Sequence, residues 1–482
     1  MQAPPSPRWS WRRLPIRVSV KALMAFVLVL GCGLGWTVRR AHVQRDAVAA
    51  IRAGGGQALY DWNLTAIRGP VFDSFKVGLK SKPPWPDWLV KLVGPDYFGN
   101  VRFVWVGPRD ADRVMNHVGR LYRLEELVVP TGSRLTDTGM AHLRDLKRLY
   151  RLGLSDASGI TGAGLKNLQG LSRLQQLSLP SAAIADADLA PLKGLTALRQ
   201  LSLACPEVTD AGLTALSGLV DMRLLDLNKT KVSSLGLADL AGMTRLIDLR
   251  LDSTAARDVS PLRNARGLTS LSLRECPVDD DGLASIGEFT GLGSLALTGT
   301  KITDAGLKHM RGLTRLGMIS LDLTGITDAG LKHLRGLTGL NSLTLGSTNV
   351  TDSGLADLAD LPRLGFLSLA RTKVTGAGLV HLRAVPSLWG LNLGETGVTD
   401  EGLATLATFP RLTNVELFGT RVTDAGLVHL AKLKTLIMVD VRNTKVTDAG
   451  VATLRQAHPK ARITSGRWPP GQTRPKSTSP SS

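Results

Sequence analysis

The stretch "TDAGLKHLRGLT", residues 327–338, places an acid, an amine and an imidazole close together. Asp328, Lys332 and His333 belong to the residue types that act as general acids, general bases and electrostatic stabilisers in enzymes. The same stretch recurs with one change at residues 303–314, which lie 24 residues earlier. A duplicated catalytic or metal site is therefore the first hypothesis to test against the rest of the sequence.

Histidines recur at the same point of this stretch, two residues after a repeated apolar position. They are His142, His309, His333, His381 and His429. Only His309 and His333 come from neighbouring copies, and neither has the flanking acids that would complete a metal site. The chain also contains no GxSxG, HExxH, phosphate-binding glycine loop or paired CxxC motif. The sequence thus predicts no catalytic residue, no metal site and no cofactor, and the protein is not expected to be an enzyme.

A fixed period runs through most of the chain and explains the duplication. The apolar residue that leads each copy falls at Met140, Leu165, Leu189, Leu213, Leu237, Leu262, Leu283, Leu307, Leu331, Leu355, Leu379, Leu403, Leu427 and Val451. These fourteen units are nearly all spaced by 24 residues, and one departs at "DVSPLRNARGLTS", with spacings of 25 and then 21. Such a period predicts a solenoid, in which each unit buries its apolar face against its neighbours.

Each unit begins with a short strand pattern. In "LNSLTL", Leu343 and Leu345 share one face, while Ser342 and Thr344 face the other way. A hydroxyl follows three residues later in most units, at Thr230, Thr254, Thr300, Thr324, Thr348, Thr372, Thr396, Thr420 and Thr444, with Cys276 in the same place of its unit. We expect this column to be buried and to hydrogen-bond the bending backbone of adjacent coils.

The "TDAGL" motif has the features of a helix start. Thr327 suits an N-cap, and Asp328 lies where a negative charge favours the helix dipole. Gly330 allows close packing against the next coil, and Gly336 ends the turn. The inward residues, spaced by three, are Leu331, Leu334 and Leu337, and the outward ones are Lys332, His333 and Arg335. The spacing predicts a short helix that is partly 3₁₀, so the residues that suggested catalysis are assigned structural roles.

The units "LxxLxLxxTxVTDAGLxxLxxL" resemble leucine-rich repeats. They are closest to the cysteine-containing type of F-box proteins, in which a Cys often stands where these units have Thr, as Cys276 does. The resemblance covers about 350 residues and implies an α/β solenoid over residues 111–464, a horseshoe with a parallel concave sheet and short convex helices. It also suggests an F-box ubiquitin ligase substrate receptor as an alternative function, although residues 1–110 contain no recognisable F-box. The whole layout resembles membrane-anchored repeat proteins of planctomycete-type bacteria.

An apolar segment near the amino terminus predicts a membrane anchor. Residues 22–38 carry no charge over 17 positions, which is at the short end of what spans a bilayer. Five basic residues precede this segment and three follow it, which favours a cytoplasmic segment at residues 1–21 and extracytoplasmic repeats at the cell membrane. A cleaved signal peptide, a lipoprotein signal at "LVLGC" with Cys32, and a buried helix remain as alternatives.

Residues 39–110 are rich in aromatic side chains and precede the repeats. A helix stopped at Gly54, a strand at "QALYDW", a helix at "PPWPDWLVKLVG" and a strand at "NVRFVWVG" are predicted there. We interpret this region as a linker and a cap over the open end of the repeat core, with a ligand-binding or membrane-interface patch as the alternative. At the other end, "KARITSG" can supply a closing strand, and residues 465–482 have the composition of a disordered tail.

The charge and the cysteines exclude two further classes of function. Of the net charge of +19, residues 1–120 hold +11 and the tail holds +3, which leaves the repeats with mixed signs and no basic stripe. Nucleic-acid binding is therefore not predicted. Cys205 and Cys276 lie three repeats apart, roughly 14 Å at the strand spacing of a sheet, which is beyond disulfide reach.

Side chains on the concave strand face are the candidate partner-binding residues. A charged set comprises Asp226, Asp248, Arg250, Asp252 and Arg274, and a set of large apolar residues expected to be exposed comprises Met318, Phe366, Phe418 and Met438. Exposed apolar residues of this size are typical interface anchors. The sequence therefore predicts a protein partner of unknown identity, and an extracytoplasmic polysaccharide-binding module is an alternative.

Overall fold

One long sheet organises the molecule, and the computed structural model describes residues 19–68, 73–77 and 83–467. The strands are β1 Gln57–Tyr60, β2 Leu64–Arg68, β3 Asp73–Val77, β4 Val101–Trp105, β5 Glu126–Val129, β6 Arg151–Leu154, β7 Gln176–Ser178, β8 Gln200–Ser202, β9 Leu224–Asp226, β10 Asp248–Arg250, β11 Ser270–Ser272, β12 Ser294–Ala296, β13 Met318–Ser320, β14 Ser342–Thr344, β15 Phe366–Ser368, β16 Gly390–Asn392, β17 Asn414–Glu416, β18 Met438–Asp440 and β19 Arg462–Thr464. Seventeen of them form one sheet, in which β4 to β19 are parallel and β1 pairs antiparallel with β4, while β2 and β3 form a separate hairpin.

Short helices connect the parallel strands on the opposite side of the core. The α-helices are α1 Val20–Ala53, α2 Asp87–Val93, α3 Ala111–Val118, α4 Asp137–Met140, α5 Gly162–Leu165, α6 Asp210–Leu213, α7 Asp280–Ile286, α8 Asp304–Leu307, α9 Asp328–Leu331, α10 Asp400–Leu406, α11 Asp424–Leu430 and α12 Asp448–Ala457. The 3₁₀-helices are Asp61–Asn63, Pro95–Tyr97, Ala141–Leu143, Lys166–Leu168, Asp186–Gly194, Thr214–Leu216, Gly236–Leu240, Ser260–Leu262, Lys308–Gly312, Asp352–Leu358 and Ala377–Ala384. The mixture of α and 3₁₀ turns follows from inward residues spaced by three, which match the 3₁₀ period. The predicted solenoid is confirmed.

The register of the sheet follows the period of the sequence. Ile319 lies beside Leu343 and Leu343 beside Leu367, so in most of the array a residue pairs with the one 24 positions along the chain. In the unit that departs from the period, Asp248 pairs with Ser270 after only 22 residues. That unit contains a single 3₁₀ turn, Ser260–Leu262, which shortens its path between strands.

The core is a column of leucines between the sheet and the helices. Leu331, Leu334 and Leu337 have no exposed surface, as expected from their spacing. At about 25 cal/mol for each Å² of apolar surface removed from water, each buried leucine contributes about 2 kcal/mol. Because each coil buries its leucines against both neighbours, the stability of the array depends on contact between successive units.

The buried threonine column bonds differently from the prediction. Thr348 Oγ1 donates to the carbonyl oxygen of Leu345 at 2.6 Å, within its own coil. Cys276 instead donates from Sγ to the carbonyl oxygen of Leu251 in the preceding coil, at 2.9 Å. The expectation of bonds to adjacent coils is therefore wrong for the threonines, because the hydroxyl is short and the turn brings its own carbonyl within reach.

The region before the repeats extends the repeat sheet. The predicted strands at "QALYDW" and "NVRFVWVG" are β1 and β4, and the predicted helix at "PPWPDWLVKLVG" is α2. β4 is the first parallel strand of the array, and β1 covers its outer edge with an antiparallel pairing. At the far end "KARITSG" provides the last strand, β19, while residues 1–18 and 468–482 lie outside the described residues.

One uninterrupted helix joins the apolar segment to this cap. The predicted anchor and the following predicted helix are both parts of α1, which continues to Ala53 and ends at Gly54. Its carboxyl half buries Ala41, Ala47 and Ile51 against the cap. Its amino half is long and apolar enough to cross a membrane and is not buried in the protein, although a signal sequence has the same length and composition. Cys32 is exposed on this half.

Candidate functional site

The repeated aspartate locks each coil to the next one. Asp304 accepts hydrogen bonds from Thr327 of the following unit, from the backbone N–H at 2.8 Å and from Oγ1 at 2.6 Å. Thr327 Oγ1 in turn accepts from the backbone N–H of Ala329, which is the predicted N-cap. The same pairing to the next unit is made by Asp112, Asp137, Asp186, Asp210, Asp280, Asp328, Asp352, Asp400 and Asp424. The acid is therefore a hydrogen-bond acceptor between coils, a role additional to its expected place at the helix dipole.

The glycine of the motif is required by the same contact. A Cβ atom at Gly330 would collide with Oδ1 of Asp304. Gly336, six residues later, has open space around it and a negative φ, so it ends the turn without the left-handed conformation. The contact with Asp304 therefore requires glycine at position 330, whereas neither space nor backbone conformation requires it at position 336.

The repeated histidines lie on the helix side of the solenoid. His333 is half-exposed, and Arg311 of the preceding unit lies 2.8 Å from its Nδ1. Partial burial and the charge of Arg311 lower the pKa of His333, so the neutral ring that accepts this bond is favoured. Within the described ranges, no three His, Cys, Asp or Glu side chains converge as a metal site would require.

The charged residues predicted for the concave face are brought together on adjacent strands, with Arg274 just past the end of β11. We call Asp226, Asp248, Arg250, Asp252 and Arg274 the central charged patch. Arg250 lies between Asp226 on β9 and Ser272 on β11, and its guanidinium donates to both oxygens of Asp248, at 3.3 and 2.9 Å. This hydrogen bonding raises the pKa of Arg250, so the guanidinium is charged at any physiological pH.

Carboxylates form the base of this patch and guanidinium groups form its surface. Asp252 accepts from the backbone N–H of Arg274 at 2.9 Å, and Asp226 accepts from the hydroxyl of Ser202 at 3.2 Å. These acids are half-buried, whereas Arg250 and Arg274 are exposed. The Arg274 side chain forms no ion pair with any described carboxylate. The groups available to a partner are therefore the two guanidinium groups.

Phe366 and Phe418 are buried, so the expectation that they are exposed is wrong. Phe366 is 8% exposed and Phe418 is 3% exposed. The ring of Phe366 covers Gly390 on the next strand, where a Cβ would lie 2.8 Å from the ring, and Phe418 covers Gly394 in the same way. Each aromatic ring fills the space that a missing side chain leaves on the neighbouring coil. Both residues therefore pack within the protein.

The two methionines of that set remain accessible. Met318 on β13 and Met438 on β18 are half-exposed. Ile437, next to Met438, is 59% exposed, and Leu323 beyond the end of β13 is 60% exposed. Leu323 also has a φ of 56°, a left-handed conformation that costs a non-glycine residue about 1–2 kcal/mol. An exposed leucine in a strained turn is unfavourable for the free protein, and the strand pattern does not indicate it because Leu323 lies beyond the strand.

A second charged group near the carboxyl end was also missed. Glu416 on β17 lies directly beside Asp440 on β18, and Arg442 forms an ion pair with Asp440. Burial and the negative charge of Asp440 both raise the pKa of Glu416. These residues occupy the same strand positions as the central patch, so the repeat alignment contained the signal that locates them.

Some buried polar atoms of the concave face lack a hydrogen-bond partner. Among the described residues they are Nε2 of Gln176 on β7, Oε1 of Gln200 on β8 and Oγ of Ser368 on β15. Gln176 and Gln200 are direct neighbours in the sheet. A buried polar group without a partner is costly, at about 1–3 kcal/mol, and such groups are rare in folded proteins.

Comparisons with known proteins agree with the leucine-rich repeat fold. The leucine-rich repeat family model matches residues 266–287. An internalin from Listeria monocytogenes is similar over 62% of this chain and 82% of its own, with 26% identity and a TM-score of 0.51. A leucine-rich repeat protein from Leptospira interrogans covers 72% of this chain and 91% of its own, with 17% identity and a TM-score of 0.49. No curated protein sequence matches significantly. The chain has the leucine-rich repeat solenoid fold, and no enzyme family is indicated.

Proposed function

We propose that this protein is a non-catalytic, membrane-anchored scaffold that binds another protein through the concave face of its solenoid. The leucine-rich repeat fold is consistent with protein–protein interaction. Sixteen parallel strands, at about 4.8 Å each, make a concave surface roughly 70 Å long. A surface of that length is large enough for an interface of the standard size, about 800 Å² on each partner.

One observation carries this proposal. The concave face presents two exposed guanidinium groups, those of Arg250 and Arg274, and the Arg274 side chain forms no ion pair with any described carboxylate. A partner that supplies carboxylates and amides would satisfy them, because hydrogen bonds to charged groups are the stronger ones. Arginine is also among the residues that most often dominate binding energy at interfaces.

Membrane anchoring through residues 22–38 is the second part of the proposal. The apolar half of α1 packs on nothing within the described chain, which favours a lipid environment over a soluble core. Five basic residues before the segment against three after it support a cytoplasmic amino terminus and extracytoplasmic repeats. The repeats then face a partner outside the cytoplasm.

The proposal also assigns the repeats to the cysteine-containing type of leucine-rich repeat. Cys276 occupies the position of the buried threonines, and its Sγ reaches the carbonyl oxygen of Leu251 in the preceding coil. Burial raises the pKa of Cys276, so the thiol stays protonated and structural. The combination of the repeats with α1 supports a layout like that of membrane-anchored bacterial repeat proteins.

Site-specific photo-crosslinking in native membranes tests the concave face. A crosslinking residue is placed at Ser294, half-exposed on β12 beside the central charged patch, and in a second protein at Lys332 on the helix side. We expect Ser294 to capture a discrete partner. The substitutions Arg250→Glu and Arg274→Glu together should reduce its yield by at least about tenfold, which corresponds to about 1.4 kcal/mol.

The matched control is Arg383→Glu with Arg411→Glu. Both residues are exposed arginines that lie off the strands of the sheet, so the charge change is the same and the concave face is intact. This pair should leave the crosslink unchanged. Equal capture from Lys332 and Ser294, or a crosslink that survives reversal of both patch arginines, would refute binding by this face.

A further inference from the structure

A cavity lies where α1 meets the first coil of the solenoid. Its volume is about 290 Å³, near the lower end of the range of ligand pockets, which begins at about 300 Å³. The wall combines the turns of α1 around Trp36 and Arg40 with the loop after α3. Its charged lining residues are all arginines, namely Arg39, Arg40, Arg120 and Arg123. A pocket with four positive charges and no acid selects an anion.

Two of these arginines have buried donors without an acceptor. Nε of Arg40 and Nε of Arg123 are shielded from water and have no hydrogen-bond partner among the described residues. Each guanidinium is nevertheless held in place by an aromatic ring, Arg40 at 5.7 Å from the centroid of Trp36 and Arg123 at 5.8 Å from that of Tyr122. Nη2 of Arg40 also donates to the carbonyl oxygen of Tyr97 at 3.2 Å. Guanidinium groups that are held in place and still have an unpaired donor are what an anion-binding site presents before its ligand arrives.

The carboxylates in the surroundings are already occupied. Asp96 accepts from Gln44 Nε2 at 3.1 Å and from the hydroxyl of Tyr60 at 2.8 Å. Glu125 forms an ion pair with Arg102. None of the four pocket arginines forms an ion pair with a carboxylate within the described ranges. The positive charge of the cavity is therefore not neutralised within the protein.

With residues 22–38 placed in the hydrocarbon core, as proposed, the cavity lies at the level where a bilayer presents phosphate groups. The uncharged segment spans 17 residues, about 26 Å of helix, which is shorter than the roughly 30 Å of a hydrocarbon core. A short span draws its flanking residues toward the headgroups, and Arg39 and Arg40 follow Val38 directly. Trp36 is 56% exposed at this boundary, as expected for a tryptophan at a membrane interface. Because α1 is unbroken through Ala41, the cavity cannot move away from the span.

We propose that this cavity binds the phosphate group of an anionic phospholipid and thereby fixes the solenoid's orientation relative to the membrane. The guanidinium fork matches the geometry of phosphate oxygens, and the aromatic rims of Trp36 and Tyr122 suit the glycerol part of a headgroup. This inference rests on the proposed membrane span of α1. Free inorganic phosphate presents the same chemistry to the arginines, so the experiment separates the two sources.

Native mass spectrometry of the full chain, purified in a neutral detergent, tests the site. The lipid probes are phosphatidylglycerol and phosphatidylcholine, which differ in net charge, and inorganic phosphate is the third probe. We expect phosphatidylglycerol to be retained about tenfold more strongly than phosphatidylcholine, the effect of one charge-assisted hydrogen bond. Arg40→Gln with Arg123→Gln should abolish this preference.

Two further variants make the result decisive. Arg39→Gln with Arg120→Gln removes the two exposed arginines of the cavity and should also reduce the preference for phosphatidylglycerol. Because these side chains are exposed, this variant tests the site even where the loss of Arg40 and Arg123 disturbs folding. Arg383→Gln with Arg411→Gln removes two exposed arginines elsewhere and should change nothing.

A preference for phosphatidylglycerol that survives both pocket variants would overturn the proposal. Retention of inorganic phosphate without discrimination between the two lipids would overturn the lipid assignment. Lipid retention is measured in detergent, whereas the span is tested by cell fractionation and the concave face by crosslinking. Failure of the cavity proposal is therefore distinguishable from failure of the proposed function.

Discussion

The Asp and Gly of the repeated motif act as one unit across two coils. Asp304 receives both hydrogen bonds of Thr327, and its carboxylate occupies the space above Gly330 that a side chain would need. The aspartate of the motif, which suggested catalysis, therefore stabilises the contact between repeats. Because the pairing recurs along the array, its energetic consequences can be measured at any one copy.

Substitution at the two glycines of one unit should have opposite effects. Gly330→Ala places a methyl group against Asp304 and is expected to cost about 1–3 kcal/mol, as overpacking does. Gly336→Ala meets open space at a negative φ, so it should be neutral or stabilise by up to about 1 kcal/mol. Thermal unfolding of the full chain in detergent, followed by circular dichroism, measures both.

The double variant identifies the cause. Asp304→Ala alone leaves the donors of Thr327 without their acceptor, but it also removes the atoms that Gly330→Ala would meet. We therefore expect Asp304→Ala with Gly330→Ala to destabilise by less than the sum of the single changes. Strict additivity would contradict the proposed contact.

At the scale of elements, neighbouring strands bring side chains together that are one period apart in the sequence. Glu416 and Asp440 are such a pair, and the burial of Glu416, together with the negative charge of Asp440, raises the pKa of Glu416. A carboxyl whose pKa is higher in the folded state binds its proton more tightly there. Its effect on stability is therefore most favourable at low pH and is lost as the pH rises through the folded pKa.

Replacement of Glu416 by glutamine should raise the melting temperature at pH 7. Glutamine removes a charge that is costly to bury, removes its repulsion by Asp440, and keeps the shape of the side chain. The difference in stability between variant and wild type should shrink as the pH falls toward the ordinary pKa of 4.5. Glu288→Gln, at an exposed glutamate of another unit, is the control and should show no such dependence. A stability difference that is constant with pH would be evidence against the pKa shift.

Elements with local signals were predictable from the sequence. The strands, the short helices, the N-cap of Thr327 and the end of α1 at Gly54 follow from periodicity and capping residues. The burial of Phe366 and Phe418 was missed because it depends on residues one period away. Gly390 follows Phe366 by 24 positions, and Gly394 precedes Phe418 by 24. The alternation of residues within one strand therefore could not predict that each ring packs over a glycine of the neighbouring coil. The arginine cavity was missed because Arg40 and Arg123 meet only in the folded chain.

For the whole molecule, the distribution of charge fits the distribution of proposed functions. The first 120 residues hold +11 of the net charge of +19, close to the proposed membrane span. The repeats carry mixed charges and present specific groups on the concave face. A basic end suits the proposed binding to an anionic membrane surface, and a nearly balanced solenoid suits the proposed recognition of a protein partner.

Two amino-terminal deletions should separate the anchor from the cap. Deletion of residues 1–40 removes the apolar part of α1 but keeps Ala47 and Ile51, which are fully buried in the core. We expect this protein to move from the membrane to the soluble fraction while it keeps a cooperative unfolding transition.

Deletion of residues 1–56 also removes the buried face of α1, which exposes apolar side chains of β4 and α3, and should lower the melting temperature or cause aggregation. We expect the two deletions to differ because the proposed membrane span and the buried face of the cap belong to one helix. Membrane association that persists after removal of residues 1–40 would contradict a single anchor. If the protein lacking residues 1–56 has the same melting temperature as the protein lacking residues 1–40, the role of α1 as part of the cap is contradicted.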